Sequence, residues 1–226
     1  MGDFKGFGPK ALAFFEALKF HQSKDWFEAN RALYDSDVVE PMLALLGDLG
    51  TAFTRQKIPL KANGKRSIFR IHRDVRFAKD KSPYKTHAGA VMTRTGGKLD
   101  DAGLLYIHIS PEGCFAAAGF YMVEAGDLAR IRKAIAAGGG RKFMTLAAAL
   151  KKNKLTLSTE NQLTRLPRGF EALKDGPLDS PIRLKSFIVE ESFPDRLVMT
   201  PKFAASVAGF AERAAPLLNF GWAALQ

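Results

Sequence analysis

The apolar residues of this 226-residue chain change period twice, and that change limits the folds open to it. Near the N-terminus they recur at helical spacing. Phe14, Phe15 and Leu18 follow Gly8-Pro9, where proline suits the first turn of a helix. Ser23 can cap a second helix, in which Phe27, Asn30, Arg31 and Tyr34 share one face. A third is expected from Val38 to Phe53, with Pro41 in its first turn and Met42, Leu45, Leu46 and Leu49 as its apolar stripe. From Phe69 the period falls to two. Phe69, Ile71, Val75 and Phe77 alternate with Arg70, His72, Asp74 and Arg76, the pattern of a half-buried strand, with Arg73 the exception on the apolar side. Three more strands are expected at His87–Arg94, Leu104–Ser110 and Gly113–Tyr121. Thr95-Gly96-Gly97 with Asp100-Asp101-Ala102-Gly103, and then Pro111-Glu112-Gly113, mark the turns between them. The small residues Ala116–Gly119 are expected to admit a helix close to the strand.

Helical spacing then returns. Asp127 can cap a helix carrying Leu128, Ile131 and Ile135, which Gly138-Gly139-Gly140 would end, and a further helix covers roughly Arg141–Lys151. Residues 153–181 are rich in turn formers, Ser186–Phe193 reads as another short strand, and a helix starts near Pro201, with Pro216 opening a last segment. Helices, then a meander, then helices predict an α+β fold: an antiparallel meander sheet with helices packed on one face and helical segments at both termini. Length predicts a single domain over 1–226, helical over 1–60, with a sheet core over 66–121 and mixed, mostly helical structure over 125–226. Eighteen Phe against four Tyr and two Trp point to a core built largely from phenylalanine.

Charge directs the functional reading. The net charge is +11, and Lys65–Lys85 alone holds eight Lys or Arg against two Asp. Three cations and a carboxylate on one strand face cannot be buried without partners. They are solvated, paired with acids elsewhere, or set opposite an anion, which a guanidinium fork binds through two parallel hydrogen bonds. Arg70, Arg73, Arg76, Lys79, Lys81, Tyr84 and Lys85 are therefore the candidate anion-binding residues. Asp74 would orient Arg70 or Arg76, Asp80 would orient Lys79 or Lys81, and Pro83 stiffens the loop that carries them. Asp74 and His72 are the candidate acid–base groups. Phe69 and Phe77 alternate onto the apolar side and are assigned to the core, leaving Tyr84 as the one stacking platform for a nucleic-acid base.

Three readings follow: a pocket for a phosphorylated or carboxylated small molecule, a nucleic-acid-binding module without chemistry, or an internal network of ion pairs. No cofactor or metal is expected. The triple glycine lacks the Gly-Lys-Ser/Thr of a phosphate loop, and His72, His87 and His108 lack His-x-His or Cys-x-x-Cys spacing. The single Cys114 sits in an apolar stretch and reads as a small buried residue. The N-terminus has no signal-peptide core and no apolar run approaches spanning length, so a cytoplasmic protein without membrane partners is expected.

The run Arg70-Ile71-His72-Arg73-Asp74-Val75-Arg76-Phe77-Ala78-Lys79-Asp80-Lys81-Ser82-Pro83-Tyr84-Lys85-Thr86 resembles the signature of a widespread bacterial and fungal family catalogued as a domain of unknown function, DUF2461. Trp26-Phe27 with Asn30-Arg31 and Tyr34, Leu163–Phe170, and Leu184-Lys185-Ser186-Phe187 extend the resemblance over nearly the whole chain. It implies one family-length domain and carries no activity or residue role with it.

Overall fold

A computed structural model describes residues 2–76, 80–97 and 102–226, so Phe77, Lys79 and the Asp100-Asp101 turn residues lie outside the described residues. The N-terminal helices form where apolar spacing places them. Helix α1 (Pro9–Phe20) starts on its proline and buries Phe14, Phe15 and Leu18. Helix α2 (Lys24–Ala29) starts after Ser23, whose hydroxyl accepts a hydrogen bond from the Trp26 N–H at 3.3 Å. Asn30 interrupts the single helix expected here, with φ −108° and ψ 7°, and α3 (Arg31–Tyr34) continues through a π-helical turn at Asp35–Val39. Phe27 and Tyr34 are buried nonetheless, whereas Arg31 is exposed and forks onto Glu28 at 2.7 and 2.9 Å. Helix α4 (Glu40–Gln56) buries Met42, Leu45, Leu46, Leu49 and Phe53, and ends at Lys57 in the left-handed conformation (φ +57°).

Four strands form one antiparallel sheet in the order β1 (Ala88–Thr93), β2 (Leu104–Ile109), β3 (Cys114–Phe120), β4 (Phe187–Phe193). The β2–β3 turn is closed by the Gly113 N–H donating to the Ser110 carbonyl at 3.1 Å. Along β2, Leu105, Ile107 and Ile109 are fully buried while Tyr106 and His108 are half-buried, so the two faces differ sharply in cover. Cys114 is buried, as its apolar setting predicts; its thiol donates to the Ser110 carbonyl, and burial pushes its pKa up.

The arginine-rich segment is not the strand its alternation predicts. Exposure does alternate: Ile71 is buried, Val75 half-buried, and Arg70, His72, Asp74 and Arg76 exposed. Backbone pairing, however, is confined to isolated antiparallel bridges, Ile68 with Ala90 and His72 with Tyr84, preceded by Lys61 with Thr93. From Ile68 to His72 the segment advances four residues while its partner advances six, so the register slips and no continuous ladder can form. Pro83 has no N–H to extend the pairing, which leaves Arg73 N–H to the Pro83 carbonyl and Lys85 N–H to the Ile71 carbonyl, each 2.8 Å.

The chain's contacts group into two compact units. The first comprises Met1–Asp101, Leu105–Ala116 and Ser192–Phe210. Its core is phenylalanine-rich, as composition predicts: Phe4, Phe7, Phe193 and Phe203 meet largely edge to face, with centroids 5.3 to 6.4 Å apart. Gly6 (φ +107°) is required there, since a Cβ would sit 2.3 Å from the Met199 carbonyl oxygen, just past α8 (Asp195–Val198).

The second unit comprises Ala102–Leu104, Ala117–Glu191 and Ala211–Gln226. Helix α5 (Ala125–Ala136) begins two residues before Asp127, which lies in the first turn instead of capping it. The glycines at 138–140 all adopt positive φ and separate α5 from α6 (Arg141–Lys152). The five-residue α7 (Asp179–Arg183) sits in the turn-rich stretch. The small residues of β3 have a different cause from the expected helix packing, at least at Gly119: a Cβ there would lie 2.0 Å from the Phe187 carbonyl oxygen of β4.

Helix α9 (Lys202–Ala224) runs unbroken through Pro216, which opens no new segment. Proline removes one ladder bond and costs roughly 3 kcal/mol in a helix interior. Phe210, Leu217, Leu218 and Trp222 are buried to either side of it, and burial of such side chains at about 2 kcal/mol each outweighs that.

Candidate functional site

The structure distributes the basic motif among several environments. Arg76 grips Asp74 through two bonds, Nε to Oδ1 at 3.0 Å and Nη2 to Oδ2 at 2.7 Å. That fork, with a lesser push from Arg70, holds the Asp74 carboxyl far below the usual carboxylate range. Arg73 is less exposed. Its Nη1 lies 3.1 Å from Asp80, its Nη2 donates to the Tyr84 carbonyl at 3.4 Å, and its Nε–H is buried with no hydrogen-bond acceptor among the described residues. Hydrogen bonds from Ser82 depress the Asp80 carboxyl first, and Arg73 adds to the effect. Asp80 therefore serves Arg73, whereas sequence position had suggested Lys79 or Lys81. Lys81 donates to the Val75 carbonyl at 2.9 Å, Lys85 donates to the Arg70 carbonyl at 3.1 Å, and Arg70 is exposed. His72 is exposed beside Tyr84, with ring centroids 5.1 Å apart.

Two aromatic assignments exchange places. Tyr84 is 3% exposed and stacks on Phe27 at 4.7 Å, so it is core and offers no platform. Its N–H donates at 2.9 Å to the side chain of Gln22, which lies just past the end of α1. Phe69 is half-buried instead, with the Lys85 ammonium 5.5 Å from its ring centre.

Phe69 opens onto a cluster that charge patterning did not single out. It meets Tyr106 at 6.1 Å; Tyr106 and Phe115 lie 5.8 Å apart; His108 stacks on Phe115 at 4.6 Å and faces His87 at 4.4 Å. All five rings are half-buried, on the less covered face of β2 and its neighbours. Gly89 makes the room: a Cβ there would stand 2.7 Å from the Tyr106 hydroxyl oxygen. That hydroxyl and His108 Nδ1 are 3.0 Å apart and share a hydrogen bond.

Burial shapes the titration of this cluster. It drives His108 down to about 4, with His87 adding to the fall and Glu112 opposing it. It also lowers His87, on which the charges of Lys85 and Arg73 act in the same direction. Tyr106 is pushed up to about 12. At neutral pH the face therefore carries two uncharged imidazoles and a neutral phenol, able to donate or accept hydrogen bonds, with two motif cations at its margin. Alternation along Leu104–Ile109 places Tyr106 and His108 on one face, but their meeting with His87 and Phe115 depends on strand pairing.

Among the described residues no group of three or more His, Cys, Asp or Glu could hold a metal ion, and no helix is long and apolar enough to cross a membrane. A cleft of about 620 Å³ lies elsewhere, lined by Asp3, Asp48, Thr51, Arg55 and alanines of α9; Asp48 there accepts from the Asp3 and Phe4 N–H groups.

An α+β chain with a basic segment beside a histidine-bearing sheet face is thus the class that fold and geometry define. The chain belongs to the family described as conserved hypothetical protein (DUF2461), whose model matches residues 10–220. No curated protein and no solved structure matches it.

Proposed function

We propose that this protein is a cytoplasmic binder of a small anion, phosphorylated or carboxylated, held where the 70–85 segment meets the half-buried face of β1 and β2. The observation that carries the reading is that the charges of Lys85 and Arg73 both act on His87, whose ring lies 4.4 Å from that of His108. Arg73 keeps a buried Nε–H that has no acceptor among the described residues, and Lys85 donates to a carbonyl and lies over a ring face. In a half-buried setting a charge-assisted hydrogen bond is stronger than on open surface, because less water competes for the ions. His87 and one member of the hydrogen-bonded Tyr106–His108 pair can act as neutral donors to the remaining oxygens. Arg70 and Lys81, both exposed, add long-range attraction. Arg76 takes no part, since Asp74 already occupies its fork. If the bound group reacts, the acid–base role falls to the His87–His108 pair ahead of Asp74 or His72, because Asp74 is locked as a carboxylate and His72 is out among the solvated residues.

The four histidines make a direct test practical. Inorganic phosphate or citrate titrated against the intact chain should move the ring resonances of His87 and His108 in a saturable way. Lys85→Met should weaken that response at least about tenfold, the loss of one charge-assisted contact. Histidine resonances that stay still through millimolar phosphate and citrate would refute the site.

The ion-pair reading draws its own support from Arg76–Asp74 and Arg73–Asp80. For Arg76 it is the better account.

A further inference from the structure

The chain's excess charge is confined to one stretch. Residues 49–98 hold thirteen Lys or Arg and two acids, which equals the whole net charge of +11; the remainder of the sequence is balanced. Both acids of that stretch, Asp74 and Asp80, are engaged by Arg76 and Arg73. Lys61, Lys65, Arg66 and Arg70 are exposed, and among the described residues no carboxylate lies within ion-pair distance of them.

These four cations follow the path of the three bridges that lay residues 61–72 beside β1 and the residues before it. Lys61 is opposite Thr93, Ile68 opposite Ala90, and His72 opposite Tyr84. At about 3.3 Å per residue, the partner chain from Tyr84 to Thr93 spans up to roughly 30 Å. A small metabolite reaches one end of such a rim. A polymer bearing an anion at every repeat reaches all of it.

Within the rim sits Phe69, and from Phe69 the half-buried rings of Tyr106, Phe115 and His108 run on across the sheet. Cations that track a backbone, beside aromatic rings that meet bases, form the combination by which single strands are held. A duplex keeps its bases stacked inside and would leave those rings unused. Resting on the anion site described above, we propose that the anion is a phosphate of a single-stranded nucleic acid. The strand is anchored at Lys85 and Arg73 and continues past Arg70, Arg66, Lys65 and Lys61, with bases against Phe69 and its neighbouring rings.

The test uses the full chain and a fluorescein-labelled single-stranded RNA of about 12 nucleotides, read by anisotropy, with a duplex of equal length as comparison. Engagement of three or four phosphates gives a slope of log affinity against log salt near −0.7 per phosphate, so affinity should fall roughly 20- to 50-fold between 50 and 200 mM salt. The triple variant Lys65→Glu, Arg66→Glu, Arg70→Glu should lose at least about tenfold in affinity and flatten the slope. Phe69→Ala should weaken binding about fivefold or more with the slope unchanged, because stacking does not release counterions. Circular dichroism checks that each variant is folded. Should the triple variant fail that check, Lys61→Gln alone should reduce the slope by about 0.7.

Absent binding, an affinity flat with salt, or equal preference for the duplex would each overturn the inference. Phosphate-induced shifts at His87 without RNA binding would overturn it while leaving the anion site standing. Loss of both would remove the two together.

Discussion

Arg132 offers the sharpest test of how the second unit is held together. Its side chain is buried, at 8% exposure, yet its hydrogen-bond partners are two backbone carbonyls: Ile182 from Nε at 2.8 Å and Leu184 from Nη2 at 3.0 Å. Desolvation alone shifts it, lowering its pKa, and no carboxylate opposes that shift. Replacing it with methionine keeps most of the apolar stem and abolishes a desolvated charge, which by itself favours the variant. Against that, two buried carbonyls lose charged donors, at about 1–3 kcal/mol each.

The carbonyls should dominate, since a guanidinium is weakly hydrated and its removal recovers less than burial of an ammonium would cost. A net loss of about 2–3 kcal/mol is expected, which for a domain of this size lowers Tm by roughly 5–10 °C. Arg132→Lys should fail to rescue, because a single ammonium cannot serve both carbonyls in the fork geometry. Thermal melts by circular dichroism and urea midpoints decide the matter. A methionine variant that melts at or above the parent would show that desolvation of the charge, and not loss of the carbonyl bonds, governs this position.

Four further outcomes are expected. Tyr84→Ala removes a buried ring stacked on Phe27 and should cost about 3–5 kcal/mol in urea unfolding, marking Tyr84 as core. Arg76→Met, at a solvated ion pair, should leave the melting temperature unmoved, and a clear drop would show that this pair bears on the stability of the fold. Gly221→Ala puts a Cβ 2.1 Å from the Phe120 ring, so despite better helix propensity it should destabilise by about 1–3 kcal/mol; a neutral calorimetric result would contradict that close approach of α9 to β3. His108 has a folded pKa near 4, below its ordinary 6.5, so the unfolded chain takes up its proton first. Its contribution is present above pH 6.5 and lost as pH falls towards 4; the drop in Tm over that window should be smaller in His108→Asn, and an equal drop would refute the assignment.

Local pattern accounts for much of this architecture. The proline start of α1, the Ser23 cap of α2, the apolar stripe of α4 and the strands β1 to β4 could be read from residues a few positions apart, because period and caps are properties of neighbouring residues. The same holds for the in–out alternation of Ile71 through Arg76 and for Asp74 serving Arg76 two residues on.

What escaped local reading depended on residues distant in sequence. The 69–76 stretch fails to become a strand because its partner's register slips, and that slip belongs to residues 84–90. Tyr84 is core because it stacks on Phe27, and Phe69 is half-exposed because it lies beside the half-buried Tyr106 and under a lysine, although their own neighbours argue the reverse. Helix α9 passes through Pro216 because buried side chains on both sides outweigh one missing bond. The meeting of His87, Tyr106, His108 and Phe115 exists only through the pairing of three strands. Sequence alone determined most helices and the four strands, the exposure alternation from Ile71 to Arg76 and the concentration of positive charge. Tertiary structure decided which of those charges are neutralised and which stand beside the histidine pair, because ion pairing and burial are set by distances in space that no local pattern encodes.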